Sequence, residues 1–145
     1  MLVDANLLLY SVDTASRLHG RAREWLRAQL NGAHRVGLPW QSLGGFLRIA
    51  TNPRVLPSPL PPVVAWQQVE VWLSAPAAWV PEPGQGYAEL LGDLIVRHEV
   101  SGNLVPDAQL AALALEHGLT VCSADTDFAR FREVGWLNPL AGDRA

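Results

Sequence analysis

Short apolar runs and helical segments alternate from one end of this chain to the other, and that alternation restricts the fold more than any other feature. LVD, HRVGLP, AWVPEP, LTVCSAD and GWLNPL read as strands. Between them ANLLLYS, RLHGRAREWLRAQLNG, WQSLGGFLRIAT, PVVAWQQVEVWLSA, GYAELLGDLIVRHEV, VPDAQLAALALEHG and DFARF read as helices. In the second of these, Ala22, Trp25, Leu26 and Leu30 recur at helical spacing. Gly32 and Gly118 are placed as helix stops, Asn52-Pro53 ends the third helix, and the GYAELL helix is expected to close near Gly102. PRVLPSPLPP is a Pro-rich and therefore stiff connection. Helices between successive strands act as crossovers. A central, mostly parallel sheet in a three-layer α/β/α sandwich is therefore expected. Nothing repeats or changes composition along the way, so a single domain over residues 1–145 is expected.

A chain of 145 residues can bury a proper core, and 49% apolar residues argue against disorder. Its apolar stretches fall far short of a membrane span. Asp4 interrupts the opening apolar run with no basic stretch before it, so no secretory leader is expected and the chain reads as cytoplasmic. The lone Cys122 excludes an internal disulfide and a Cys-based zinc site. The formal net charge of −3 is unlike that of a generally basic nucleic-acid binder, but distribution matters more than the sum. All eleven basic residues are Arg, and Arg17, Arg21, Arg23 and Arg27 crowd one segment. Arg is the better fork for phosphate. The plainer reading of that segment is a solvated helix face.

The opening MLVDANLLLY sets Asp4 and Asn6 among apolar residues. Buried polar groups need partners, so they either cap a helix or help hold a cation. In open parallel sheets, sites lie beyond the carboxyl ends of strands. Asp4 stands there after LV, and Ser123, Asp125 and Asp127 stand there within and after LTVCS. Asp107 opens the helix VPDAQLAALALEHG. Any one of these acids has an ordinary use as a cap or dipole partner. All four together, brought close by the fold, would repel one another and need a cation. Hard carboxylate oxygens suit Mg²⁺ or Mn²⁺.

On these residues the chain resembles the PIN-domain family, and more narrowly the VapC-type toxins of bacterial toxin–antitoxin pairs. LVDAN resembles the family's strand-D-x-N opening. WQSLGGFLRIATNPRV looks like the helix and following loop of a VapC subgroup. GNLVPDAQLAALALEHGLTVCSADTDFARF resembles the carboxyl-terminal half, where an acid opens a helix and a strand leads to [ST]-x-D-x-D-F. This last segment is long and specific, whereas D-x-N alone is common. The resemblance implies a PIN-like fold and a Mg²⁺- or Mn²⁺-dependent endoribonuclease, the toxin of a type II toxin–antitoxin pair. It implies Asp4, Asp107 and Asp125 as metal-binding acids, and these with Asp127 as the catalytic set. Asn6, Ser123 and Gln41 are then supporting residues, and Arg48 and Arg54 candidate phosphate contacts. It implies an RNA substrate, a homodimer, and a VapB-like antitoxin laying a segment across the acidic cleft, with no membrane involved.

The chain departs from the family at one position. The family usually carries a Glu ahead of an apolar-apolar-Arg run; here the run is FLR and the position is Gly45. Gln41, one turn earlier, offers only a neutral oxygen. One metal rather than two, or weak occupancy, is the expectation. An alternative reading follows: a catalytically weakened PIN-fold module that works by protein binding. Receiver and haloacid-dehalogenase domains also place Asp after the first strand, but both use a Lys, and this chain has none. Six Trp residues suit interfaces or cores, and Trp66 and Trp72 share one helix.

Overall fold

The computed structural model describes residues 1–142. Five short strands form one all-parallel sheet: β1 (Leu2–Val3), β2 (Val36–Gly37), β3 (Ala78–Trp79), β4 (Val121–Cys122) and β5 (Trp136–Leu137). Their order in space is β3-β2-β1-β4-β5. The chain thus winds outward from β1 in one direction and returns to β1's other side with β4. The order reverses between β1 and β4, which is where a doubly wound sheet opens a crevice.

Helices α1 (Ala5–Val12), α2 (His19–Leu30), α3 (Trp40–Ala50) and α4 (Pro62–Leu73) cover one face. Helices α5 (Tyr87–Arg97) and α6 (Val105–His117) cover the other. Strand alternation divides the core accordingly. Val3 and Cys122 point into the first cluster, whereas their neighbours Leu2 and Val121 point into the second. All four are buried, as expected for a parallel sheet covered on both faces. The α/β/α layering anticipated from alternation is therefore the observed one. No helix among the described residues is long and apolar enough to cross a membrane.

Local chemistry sets the boundaries. Pro39 has no N–H, and its extended backbone stands as N-cap of α3. Gly118 takes φ 65° and closes α6 through an N–H of Leu119 donated to the Ala114 carbonyl, as placed. The α5 expectation is corrected. That helix ends at Arg97 and is closed by Glu99 rather than Gly102, with Glu99 left-handed at φ 49°. Val100 N–H then donates to the Ile95 carbonyl and completes the same kind of C-terminal wrap. Gly102, at φ 56°, instead opens the 3₁₀ turn Gly102–Leu104 that leads into α6. The two α4 tryptophans part company. Trp72 is buried edge-on against Phe46, at 4.7 Å between centroids, and Trp66 is exposed.

Candidate active site

The carboxyl ends of β1 and β4 lie side by side, with Leu2 paired to Val121 and Val3 to Cys122. The next residues of each strand therefore meet. Asp4 follows β1 as the N-cap of α1, its Oδ1 accepting from the Ala5 N–H at 2.7 Å. Its Oδ2 accepts from Ser123 Oγ at 2.7 Å and from Asn6 Nδ2 at 3.2 Å. Asn6 Nδ2 also reaches Ser123 Oγ at 3.0 Å, and Asn6 Oδ1 accepts from the Ala124 N–H at 3.2 Å. Asn6 and Ser123 thus stitch the two strand ends together.

Asp125 N–H donates to Ser123 Oγ at 3.0 Å. The Asp125 carboxylate in turn caps the 3₁₀ turn Thr126–Arg130, with Oδ1 accepting from the Asp127 N–H at 2.8 Å. Asp107 stands in the first turn of α6, where the helix dipole favours a negative charge. Carboxylate oxygens of Asp107, Asp125 and Asp127 all lie within 4.8 Å of one another. The tightest acid group is thus these three. Asp4 stands beside it, both of its oxygens already engaged by the cap, Ser123 and Asn6. Asp4 and Asp125 both cap a helical turn, and both capping carboxylates stand at the acid group.

The electrostatics follow from burial first and crowding second. Burial first, then the charges of Asp125, Asp4 and Asp127, push the Asp107 carboxyl up to about 6, while Arg130 pulls it partway back. Burial likewise raises the Asp4 carboxyl, against its hydrogen bonds from Ser123 and the Ala5 N–H. A group of hard oxygens in which burial and neighbouring charge make Asp107 costly to ionise fits a divalent cation, which would relieve that cost directly. Cys122, buried beneath the site with its thiol pushed up to about 11, has no part in such a set.

The remaining sequence candidates lie on α3 and in the turn that follows it. Gln41 is exposed on α3, and its Nε2 donates to the Pro106 carbonyl at 2.7 Å, tying α3 to the start of α6 next to Asp107. Gly45, one turn on, faces α1: a Cβ there would lie 3.0 Å from the Ala5 Cβ. Arg48 and Arg54 are exposed and, among the described residues, make no ion pair. The arginine whose charge acts on Asp107 is Arg130, which the sequence reading passed over. Its signal lies in DTDFAR, where a 3₁₀ turn puts residues three apart on one side, Asp127 with Arg130.

A doubly wound sheet carrying an acid cluster at the β1/β4 crevice defines the class, and comparison with known proteins gives the family. Residues 1–134 match the PIN domain family. The chain is 44% identical to Ribonuclease VapC37 of Mycobacterium tuberculosis over 140 residues, covering 97% of each. It is 41% identical to Ribonuclease VapC33 of the same organism, covering 97% of this chain and 98% of the relative. The chain belongs to the PIN-domain family, in its VapC group. The fold is shared more widely. VapBC-1 from nontypeable Haemophilus influenzae superposes with a TM-score of 0.67 at 15% identity, covering 97% of this chain and 98% of that one. VapBC2 from Rickettsia felis, bound to a DNA fragment from its promoter, does so with a TM-score of 0.66 at 13% identity, covering 94% and 96%.

Proposed function

We propose that this chain is a ribonuclease, specifically a Mg²⁺- or Mn²⁺-dependent endoribonuclease, and the toxin of a toxin–antitoxin pair. The observation that carries the reading is the convergence of Asp107, Asp125 and Asp127 within 4.8 Å, beside Asp4, at the switch point of the sheet. Its kinship with proteins named VapC ribonucleases supplies the substrate class. A divalent cation, when bound, supplies a Lewis acid for the scissile phosphate and lowers the pKa of bound water.

The chain's own residues do the rest. Asp107, Asp125 and Asp127 offer the oxygens that would hold the cation. Asp125 or Asp127 would orient the attacking water and take its proton. Asp4, fixed by Ser123 and Asn6, sets the field of the site and holds the two strand ends in register. Arg130 offers a guanidinium to a flanking phosphate, with Arg48 and Arg54 further along the exposed surface.

A homodimer and a VapB-like antitoxin belong to the same proposal, supported by structural neighbours that are VapBC assemblies. Mapping cleavage of total RNA by the purified protein, with and without EDTA, tests it. Discrete cuts that EDTA abolishes are expected. RNA left intact in Mg²⁺ and in Mn²⁺, together with a melting temperature indifferent to either ion, would leave the weakened protein-binding module as the better reading.

A further inference from the structure

Trp40 is the first residue of α3, placed where the chain leaves β2 at the carboxyl edge of the sheet. Its indole is 47% exposed and lies 8° from parallel to that of Trp66, which is 44% exposed, with 6.4 Å between centroids. Trp66 stands in the second turn of α4 and meets Trp40 across the α3–α4 contact. Neither indole is needed by the core, which takes Trp72 from α4 instead. Trp40 is linked to the acids through its chain neighbour. Its neighbour Gln41 holds the Pro106 carbonyl, and Asp107 follows. Trp40 and Gln41 further line a cavity of about 480 Å³ whose other walls include Tyr87, Pro81 and Leu113.

An RNA strand with one phosphate at Asp107, Asp125 and Asp127 would pass flanking nucleotides along the carboxyl edge of the sheet, where Trp40 also stands. Single-stranded RNA is recognised largely by stacking splayed bases on aromatic faces, and such stacking tolerates any base. We propose that Trp40, backed by Trp66, is a stacking platform for a nucleobase flanking the scissile phosphate, with the adjoining cavity receiving the edge of that base. The proposal rests on the ribonuclease reading and adds a substrate subsite to it. RNA is favoured over a protein segment because the platform consists of parallel aromatic planes at the acid edge, joined to the acid group through Gln41.

The test measures binding of short single-stranded RNA oligonucleotides in an Asp125→Asn background, so that cutting does not intervene, and single-turnover cleavage in the otherwise unaltered protein. Trp40→Ala is expected to weaken RNA binding on the order of ten-fold or more. Trp66→Ala weakens it less, and Trp40→Phe restores most of the loss. The dependence of log affinity on log salt keeps its slope, because no phosphate contact is removed. Melting temperatures of the variants should stay near that of the parent, since both indoles are exposed.

Unchanged affinity in Trp40→Ala overturns the platform. So does rescue by Trp40→Leu equal to that by Trp40→Phe, which would mark simple apolar docking. Retained RNA affinity with lost capture of an antitoxin-type partner would assign the surface to protein instead. Failure of the underlying reading looks different: the parent with both Trp residues intact neither binds nor cuts RNA.

Discussion

Ser123 Oγ donates to Asp4 Oδ2 at 2.7 Å, joining the ends of the two strands that flank the switch point. The same hydroxyl accepts from Asn6 Nδ2 and from the Asp125 N–H, each at 3.0 Å. Its one donor and two acceptor sites are thereby all used. Ser123 is fully buried.

Ser123→Ala should therefore cost about 1–3 kcal/mol of stability, because it leaves the Asp125 N–H without its acceptor and takes one of the two donors from Asp4 Oδ2. The Asp4 carboxyl should rise further, since the Ser123 bond is what most lowers it. Denaturant titration at neutral pH reads the loss. A midpoint equal to the parent's would mean that the strand ends are held by other means.

The raised Asp107 carboxyl predicts an unusual pH dependence in metal-free buffer. Its folded value, about 6, lies above the ordinary 3.8, so between those values the folded state binds more protons than the unfolded one. Stability then falls as pH rises from about 4 to about 6 and levels off above. The raised Asp4 carboxyl works in the same direction. Asp107 is partly solvated, so the amplitude is smaller than the shift alone would suggest. Mg²⁺ binds the ionised form, so the stability it adds should grow as pH rises toward 6 and be largest above it. Melting curves across this range, in EDTA and in Mg²⁺, provide the check, and a stability that climbs through the window in EDTA would contradict the crowding.

The sequence shows the acids plainly because each stands at a boundary that pattern alone reveals. Asp4 and Asp125 follow apolar runs, and Asp107 opens a helix ending at a left-handed Gly118. Which strand ends meet is less visible. The pairing of β1 with β4 rather than with its chain neighbours alone is a choice of tertiary packing. The cap-or-ligand alternative is also beyond pattern, because both uses need the same carboxylate at the same turn. Trp66 and Trp72 look alike in PVVAWQQVEVWLSA, and only Phe46, arriving from α3, decides which is buried. Glu99 in place of Gly102 at the end of α5 was hidden for a related reason: a non-glycine rarely adopts positive φ.

Neutralising the acids should separate their roles. Asn at position 125 can keep the carbonyl that accepts from the Asp127 N–H, so Asp125→Asn should melt at or above the parent in EDTA. It should lose the Mg²⁺-dependent rise and RNA cleavage together. Asp107→Asn should behave alike, with its gain in EDTA largest above pH 6, where the parent is most strained by charge. Asp4→Asn keeps a cap for α1 and should also abolish cleavage, whereas Asp4→Ala should lose a further 1 kcal/mol or so with the cap. Differential scanning fluorimetry with and without Mg²⁺, paired with cleavage assays, tells these apart. A wild-type cleavage rate in any Asn variant removes that acid from the mechanism.

Gly45 offers the sharpest test of how α3 feeds the site. Glycine inside a helix costs about 1 kcal/mol relative to Ala, so Gly45→Ala would ordinarily stabilise α3. Here the added Cβ would lie 3.0 Å from the Ala5 Cβ, tighter than ordinary van der Waals contact. Ala5 cannot easily yield, because its N–H is held by Asp4. Overpacking of this kind costs about 1–3 kcal/mol, so the net expectation is a small loss, recovered by Ala5→Gly in a double-mutant cycle. Gly45→Glu carries the same crowding plus a fifth acid. In EDTA it should melt below Gly45→Ala, because repulsion in the acid group grows. In Mg²⁺ it should gain more than the parent does, and cleave faster, since a carboxylate rising from beside Ala5 adds an oxygen to the set. Melting temperature against Mg²⁺ concentration for parent, Gly45→Ala and Gly45→Glu distinguishes the two effects. Equal metal dependence and equal cleavage in all three would mean that residue 45 only packs α3 on α1 and that no side chain there reaches the acids.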